Sequence, residues 1–227
     1  MTFQRYAVYV TPPPGPLADF GAAWLGWDPV AGREVPHPDI PGLPAPIPEL
    51  TATPRRYGFH ATMTPPFALA EGQTEAALID AVARFCSEMS PVTLDALIVA
   101  PLGRFLALLP EGDTGGVDAL AAASVRAFAP MRAPLTGDEL ARRAAGLGPA
   151  QKARVLQWGY PHVMAGFRFH MTLTGKRPKH ELPAIRAALC THLAPRLPRP
   201  FEMAALSLMG EDAQGRFHLL HREPLGG

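Results

Sequence analysis

The chain writes one eight-residue pattern twice, and few folds accommodate that. Tyr57-Gly58-Phe59-His60-Ala61-Thr62-Met63-Thr64 and Phe167-Arg168-Phe169-His170-Met171-Thr172-Leu173-Thr174 share aromatic-x-Phe-His-x-Thr-x-Thr, with the histidines 110 positions apart. Each copy precedes a helical pattern (Thr74–Ser87 and His180–His192), then a strand pattern (Val92–Val99 and Glu202–Leu208), then a Gly-Arg-Phe unit at Gly103 or Gly215. From histidine to Gly-Arg-Phe the chain runs 43 residues in the first half and 45 in the second. Chance repeats a His-x-Thr easily, but not with matching flanks. The reading is therefore an internal duplication: two related lobes with a site between them.

Both copies alternate with period two, so each predicts a strand whose i and i+2 side chains share a face ~6.5 Å apart. Phe59, Ala61 and Met63, like Phe169, Met171 and Leu173, are expected to pack beneath helices. His60, Thr62 and Thr64, and Arg168, His170, Thr172 and Thr174, are expected to face the cleft. A His-x-Thr in one strand is ordinarily a satisfied polar face; duplication with its context favours chemistry. Histidine takes or gives a proton near neutral pH, and two of them on opposite sides of a phosphorus permit in-line displacement without a metal. Threonine hydroxyls donate to non-bridging oxygens. Thr62 and Thr172, nearest their histidines, are the first candidates for phosphate binding, with Thr64 and Thr174 behind them. Neither motif is surrounded by further histidines, cysteines or carboxylates at ligand spacing, so no metal or other cofactor is expected.

Further cations and aromatics offer themselves for substrate binding: Arg168 by alternation, Arg56 and Tyr57 before the first motif, Lys176 after the second, and Tyr160 upstream of it. Arg104 and Arg216 hold equivalent repeat positions and are read as structural. His162, His218 and His221 have no counterpart in the other half, and the sequence assigns them no role.

The rest of the chain decorates this frame. Arg5–Val10 reads as a strand and Ala18–Leu25 as a short helix, while 28–48, dense in proline, reads as an extended surface loop. Val117–Phe128, Asp138–Ala145 (with a Thr136/Glu139 capping box) and Ala150–Trp158 read as an inserted helical segment. The expected organisation is one bilobal α+β domain, with a first repeat over about 51–110, the insertion over about 111–160 and a second repeat over about 161–224. Each lobe would be an antiparallel sheet backed by helices, the motif strands facing one another across a central cleft. A net charge of +1 argues against a polyanion binder, leaving RNA as the weaker substrate class. The two cysteines, Cys86 and Cys190, give no disulfide framework. No apolar run approaches the ~20 residues of a membrane span, and the chain starts straight into a strand pattern, so a cytoplasmic location is expected.

These residues resemble the 2H phosphoesterase superfamily, whose members carry two His-x-Thr/Ser motifs in duplicated α+β lobes. The longer runs Arg56–Thr62, Trp158–Pro161, Phe167–Gly175, Arg5–Tyr9 and Arg132–Thr136 resemble one bacterial branch, described as phosphonate-metabolism proteins and often encoded near carbon–phosphorus lyase genes. The resemblance implies metal-independent hydrolysis of a phosphodiester or cyclic phosphate, with His60 and His170 catalytic and Thr62 and Thr172 on the phosphate. In that setting it implies a small phosphorylated substrate, 5-phosphoribosyl 1,2-cyclic phosphate being the candidate, and association with phosphonate-degrading enzymes. A 2′,3′-cyclic nucleotide or RNA-end phosphodiesterase, and a non-catalytic phosphometabolite-binding or accessory protein, are the alternatives.

Overall fold

The strand Arg5–Val10 is buried from Tyr6 onward, because it runs through the middle of a sheet with its alternate residues in two different environments. In the computed structural model, which describes residues 2–227, this strand is β1. It is followed by α1 (Pro16–Leu25), the hairpin β2 (Trp27–Asp28) and β3 (Arg33–Glu34), and a single turn α2 (Ile47–Leu50) closing the proline-rich loop. The first motif strand is β4 (Ala61–Phe67), then α3 (Glu75–Ser87), β5 (Val92–Leu94), β6 (Ala96–Leu102) and β7 (Phe105–Glu111). The inserted segment supplies α4 (Gly115–Phe128), α5 (Gly137–Ala144) and α6 (Pro149–Trp158). The second half gives β8 (Met171–Thr172), α7 (Leu182–Leu193), β9 (Phe201–Met203), β10 (Ala205–Glu211) and β11 (Phe217–Pro224).

The architecture is α+β, with antiparallel sheets backed by helices. The main sheet has seven strands in the order β11-β10-β1-β4-β8-β7-β6, and β5 and β9 form a separate pair, Val92 opposite Met203. Two points differ from the expectation. The motif strands do not face one another across a gap: β4 and β8 lie side by side at the centre of one continuous sheet, joined at the single pair Ala61–Met171. The halves also exchange hairpins. β10 and β11, from the second half, extend β1 and β4, while β6 and β7, from the first half, extend β8. Period-two patterning fixes which face a residue takes and is silent about which strand lies beside it, so neither point was readable from spacing.

Burial follows the pleat. Val8, Val10, Ala61, Met171, Leu106, Leu108, Leu206 and Leu208 point into one large core, with Leu78 and Val82 of α3 and Ile185 and Leu189 of α7. Phe59, Met63, Phe169 and Leu173 join them, as alternation requires. Full burial of each such side chain stabilises by ~1.5–3 kcal/mol, so this face anchors the motif strands. Phe59 lies against α1 at Gly21, where a Cβ would come within 2.1 Å of its ring; only glycine allows that approach. The other sheet face carries a smaller cluster of Ala7, Tyr9, Met209 and Phe217, and the site lies there. The Gly-Arg-Phe units open the second strand of each hairpin. Arg216 bonds Glu34 at 2.6 Å and covers the Trp27 ring at 4.8 Å, and Arg104 reaches the Arg177 carbonyl at 3.4 Å. Both arginines tie elements together, as their repeat positions suggest. Cys86 and Cys190 are free thiols, and no helix among the described residues is long and apolar enough to cross a membrane.

Candidate active site

Each motif histidine is held by the backbone two residues before it. His60 Nδ1 lies 2.9 Å from the Gly58 carbonyl and His170 Nδ1 lies 2.7 Å from the Arg168 carbonyl. A carbonyl oxygen only accepts, so in both rings Nδ1 carries the hydrogen and Nε2 is left to exchange protons. Gly58 makes this contact from φ 75°, ψ 178°, a region essentially closed to residues with a Cβ. His60 Nε2 is 3.1 Å from Thr62 Oγ1, so the threonine hydroxyl donates to the neutral ring.

The register of the central strands arranges these groups crosswise. Ala61 pairs with Met171 and both are buried, so their neighbours in sequence share the opposite face. An antiparallel pair at those two residues sets Thr172 across from His60 and Thr62 across from His170. The two histidines then stand on a diagonal, where Cβ atoms are typically ~7–8 Å apart, with a hydroxyl beside each. All four side chains are partly exposed.

The rings differ in surroundings. His60 stacks on Tyr9, centroids 3.7 Å apart at 18°; Tyr9 pairs with Thr62 across β1 and β4 and is 1% exposed. Burial lowers the His60 pKa from 6.5 to about 4, outweighing the raising effect of its bond to Gly58, and the nearby His170 adds to the lowering. His60 is thus neutral at pH 7. Tyr57 stands 6.1 Å from His60 and packs on Phe217 at 5.2 Å. His170 instead meets Phe105 at 5.9 Å, tilted. Tyr9 and Phe105 did not stand out in the sequence, because their relevance comes from which strands neighbour the motifs.

Thr64 and Thr174, expected beside their histidines, are elsewhere. Tyr9 pairs with Thr62 but Val8 pairs with Thr64, an extra residue in β4 that marks a bulge. It turns Thr64 to the Val8 face, where the side chain is buried and shares a 2.7 Å hydrogen bond with Ser124 of α4. In the second half the Leu173 and Thr174 amides both donate to the Leu106 carbonyl, and the Leu106 amide donates to Thr174 Oγ1 at 3.0 Å. Both second threonines are therefore structural in placement. A bulge leaves no period-two signal, which is why alternation placed Thr64 on the wrong face; Thr174 lies past the end of β8, where alternation no longer applies.

Thr62 and His170 line a cavity of about 430 Å³ together with Phe105, Tyr160, His162 and Arg168. His60, bonded to Thr62, and Thr172 are not part of this lining. Of the substrate-binding candidates, Tyr160 and Arg168 are part of this lining, and His162 joins them. Arg56 and Lys176 are exposed and stand outside this lining; Arg56 donates to the Tyr57 hydroxyl at 2.5 Å. His218 pairs with Asp212 at 2.7 Å and His221 with Glu223, away from the cavity. Among the described residues, no three His, Cys, Asp or Glu side chains cluster as a metal site would require.

The chain is similar to two curated proteins called ribose 1,5-bisphosphate phosphokinase PhnN. It is 40% identical to the one from Janthinobacterium sp. (strain Marseille), over 94% of this chain and 49% of that protein. To the one from Laribacter hongkongensis (strain HLHK9) it is 36% identical, over 89% of this chain and 48% of that protein. The chain spans about half the length of these relatives. Solved structures of E. coli LigT align over the full length of both chains at low similarity, the apo form at TM-score 0.44 and 15% identity and the 3'-AMP complex at 0.42 and 16%. The family described as protein of unknown function (DUF1045) matches residues 62–218, from the first motif threonine into the last strand, and the chain belongs to that family.

Proposed function

We propose that this site is a phosphoric diester hydrolase of the 2H phosphoesterase type, opening a small sugar cyclic phosphate without a metal. The reading rests above all on the crosswise His60/Thr62 and His170/Thr172 arrangement, with both Nδ1 atoms tied to carbonyls and both Nε2 atoms left to move protons. The phosphorus sits between the two imidazoles. His60, neutral at pH 7, takes a proton from the attacking water at Nε2. The P–O bond on the opposite side breaks, and His170 Nε2–H protonates the departing sugar oxygen. Thr62, turning its hydroxyl from His60 Nε2 to the phosphate, and Thr172 donate to the non-bridging oxygens, where negative charge grows in the transition state. Each histidine, as general acid or base, is worth about 10²–10⁴-fold in rate.

The candidate substrate is 5-phosphoribosyl 1,2-cyclic phosphate. Hydrolysis at the bond to O2 leaves the phosphate on C1 and yields ribose 1,5-bisphosphate. That is the compound on which the relatives' name has them act, so the two reactions fit in sequence, and an association with phosphonate-degrading enzymes fits the same setting. The kinase step itself has no foothold here, for the chain contains no Gly-x-x-x-x-Gly-Lys-Ser/Thr loop.

The test is turnover of this cyclic ester by purified, chelator-treated protein, followed by ³¹P NMR, beside nucleoside 2′,3′-cyclic phosphates. Expected are ribose 1,5-bisphosphate as product and a large loss of rate in both His60→Ala and His170→Ala. Turnover that vanishes with the chelator and returns only with metal, or that survives in both variants, would end the proposal.

A further inference from the structure

The halves of the site hold their histidines by the same backbone bond and differ along one wall. Gly58 and Arg168 occupy the same repeat position and perform the same backbone task, accepting the Nδ1–H of the following histidine. The guanidinium of Arg168 is surplus to that task. It is exposed, lines the 430 Å³ cavity, and forms no ion pair among the described residues. Tyr160 and His162 line the same cavity, rings 5.7 Å apart; Tyr160 ends the inserted segment and His162 follows it, and neither has a counterpart in the other half. The backbone presenting them is clamped on both sides: Arg143 donates to the Gly159 carbonyl at 2.9 Å and Arg154 Nε to the Pro161 carbonyl at 2.7 Å. No Asp or Glu is among the residues lining the cavity. A wall with a guanidinium, an imidazole and a phenol, held in place by two further arginines and facing no carboxylate, suits a compact anion.

We propose that Arg168, His162 and Tyr160 bind a second, non-reacting phosphoryl group of the substrate. The site then selects a sugar phosphorylated at both ends over a cyclic ester whose far end is uncharged. This rests on the reading above that the reacting phosphorus lies between His60 and His170. Division of labour follows from it: the repeated residues do the chemistry and the unrepeated ones choose the substrate.

Two measurements separate this inference from that reading. The first compares kcat/KM for ribose 1,2-cyclic phosphate with and without a 5-phosphate, in the wild type, Arg168→Ala and His162→Ala. A charge-assisted hydrogen bond is worth roughly 10- to 100-fold, so the wild type should prefer the 5-phosphorylated ester by at least about that factor. Arg168→Ala should lose most of the preference, its loss on the 5-phosphorylated ester exceeding its loss on the other by at least about tenfold. The second titrates ribose 5-phosphate into the His60→Ala/His170→Ala double variant by calorimetry, with and without Arg168→Ala added. Binding should persist in the double variant and weaken at least about tenfold when Arg168 is removed. Equal losses on both esters, no wild-type preference, or ribose 5-phosphate binding indifferent to Arg168 would each overturn the inference and leave the hydrolase reading standing. Arg168-dependent binding with no turnover of either ester would sustain the anion site and sink the hydrolase.

Discussion

Replacing Gly58 with alanine tests how the first histidine is held. Its φ 75°, ψ 178° costs a residue with a Cβ about 1–3 kcal/mol. The new methyl would also lie 2.9 Å from Pro29 Cγ, and relieving that crowding adds about 1 kcal/mol. A total near 2–4 kcal/mol corresponds to a fall in Tm of roughly 4–16 °C for a chain of this size. Any backbone rotation that eases the strain also turns the Gly58 carbonyl away from His60 Nδ1, freeing the ring to change tautomer. Stability by thermal and urea unfolding, the tautomer by ¹⁵N NMR of the imidazole, and turnover together read the effect. Gly42→Ala is the control, at φ 79° but with open space around its Cβ. It should cost no more than about 1–2 kcal/mol and leave His60 untouched. If Gly58→Ala matched Gly42→Ala in Tm, tautomer and rate, the claim that Gly58 sets the ring would be refuted.

Thr62→Val and Thr64→Val should separate cleanly. The first lowers turnover by about 10- to 100-fold with little change in Tm, whereas the second strands the Ser124 hydroxyl and costs about 1–3 kcal/mol of stability, with the active-site rings still in place; the opposite pattern would reverse their assigned positions. Stability should also depend on His60 between pH 6.5 and 4. Its folded pKa, about 4, lies below the ~6.5 of an unfolded histidine, so the unfolded chain binds the proton first. The contribution is whole above pH 6.5 and is lost as pH falls toward 4. Urea unfolding of His60→Gln at pH 7 and 4.5 should show a smaller drop than the wild type, and an equal drop would contradict the lowered pKa of that ring.

Much of this was legible in the residues. The duplicated motif marked His60, Thr62, His170 and Thr172, and alternation gave the core face through Ala61 and Met171. The helices α3 and α7 fall within a residue or two of their sequence limits, and Thr136 with Glu139 forms the capping box that their spacing suggested. What escaped was whatever depends on the neighbouring strand. The exchanged hairpins, Tyr9 beneath His60 and Phe105 beside His170 follow from pairing across long loops, which local patterns do not encode. The bulge that buries Thr64, and the end of β8 before Thr174, break the very alternation used to place them. His162 was set aside for lacking a repeat partner, yet it lines the cavity alongside Arg168.

The pH dependence of kcat/KM on 5-phosphoribosyl 1,2-cyclic phosphate, in the wild type and each histidine variant, bears most directly on the two-imidazole site. A bell is expected, with its acid limb far below pH 6.5 because His60 holds its proton weakly. His60→Ala should abolish the acid limb alone and His170→Ala the alkaline limb alone. If both limbs survived in either variant, the paired imidazoles would not be the acid and base of this site.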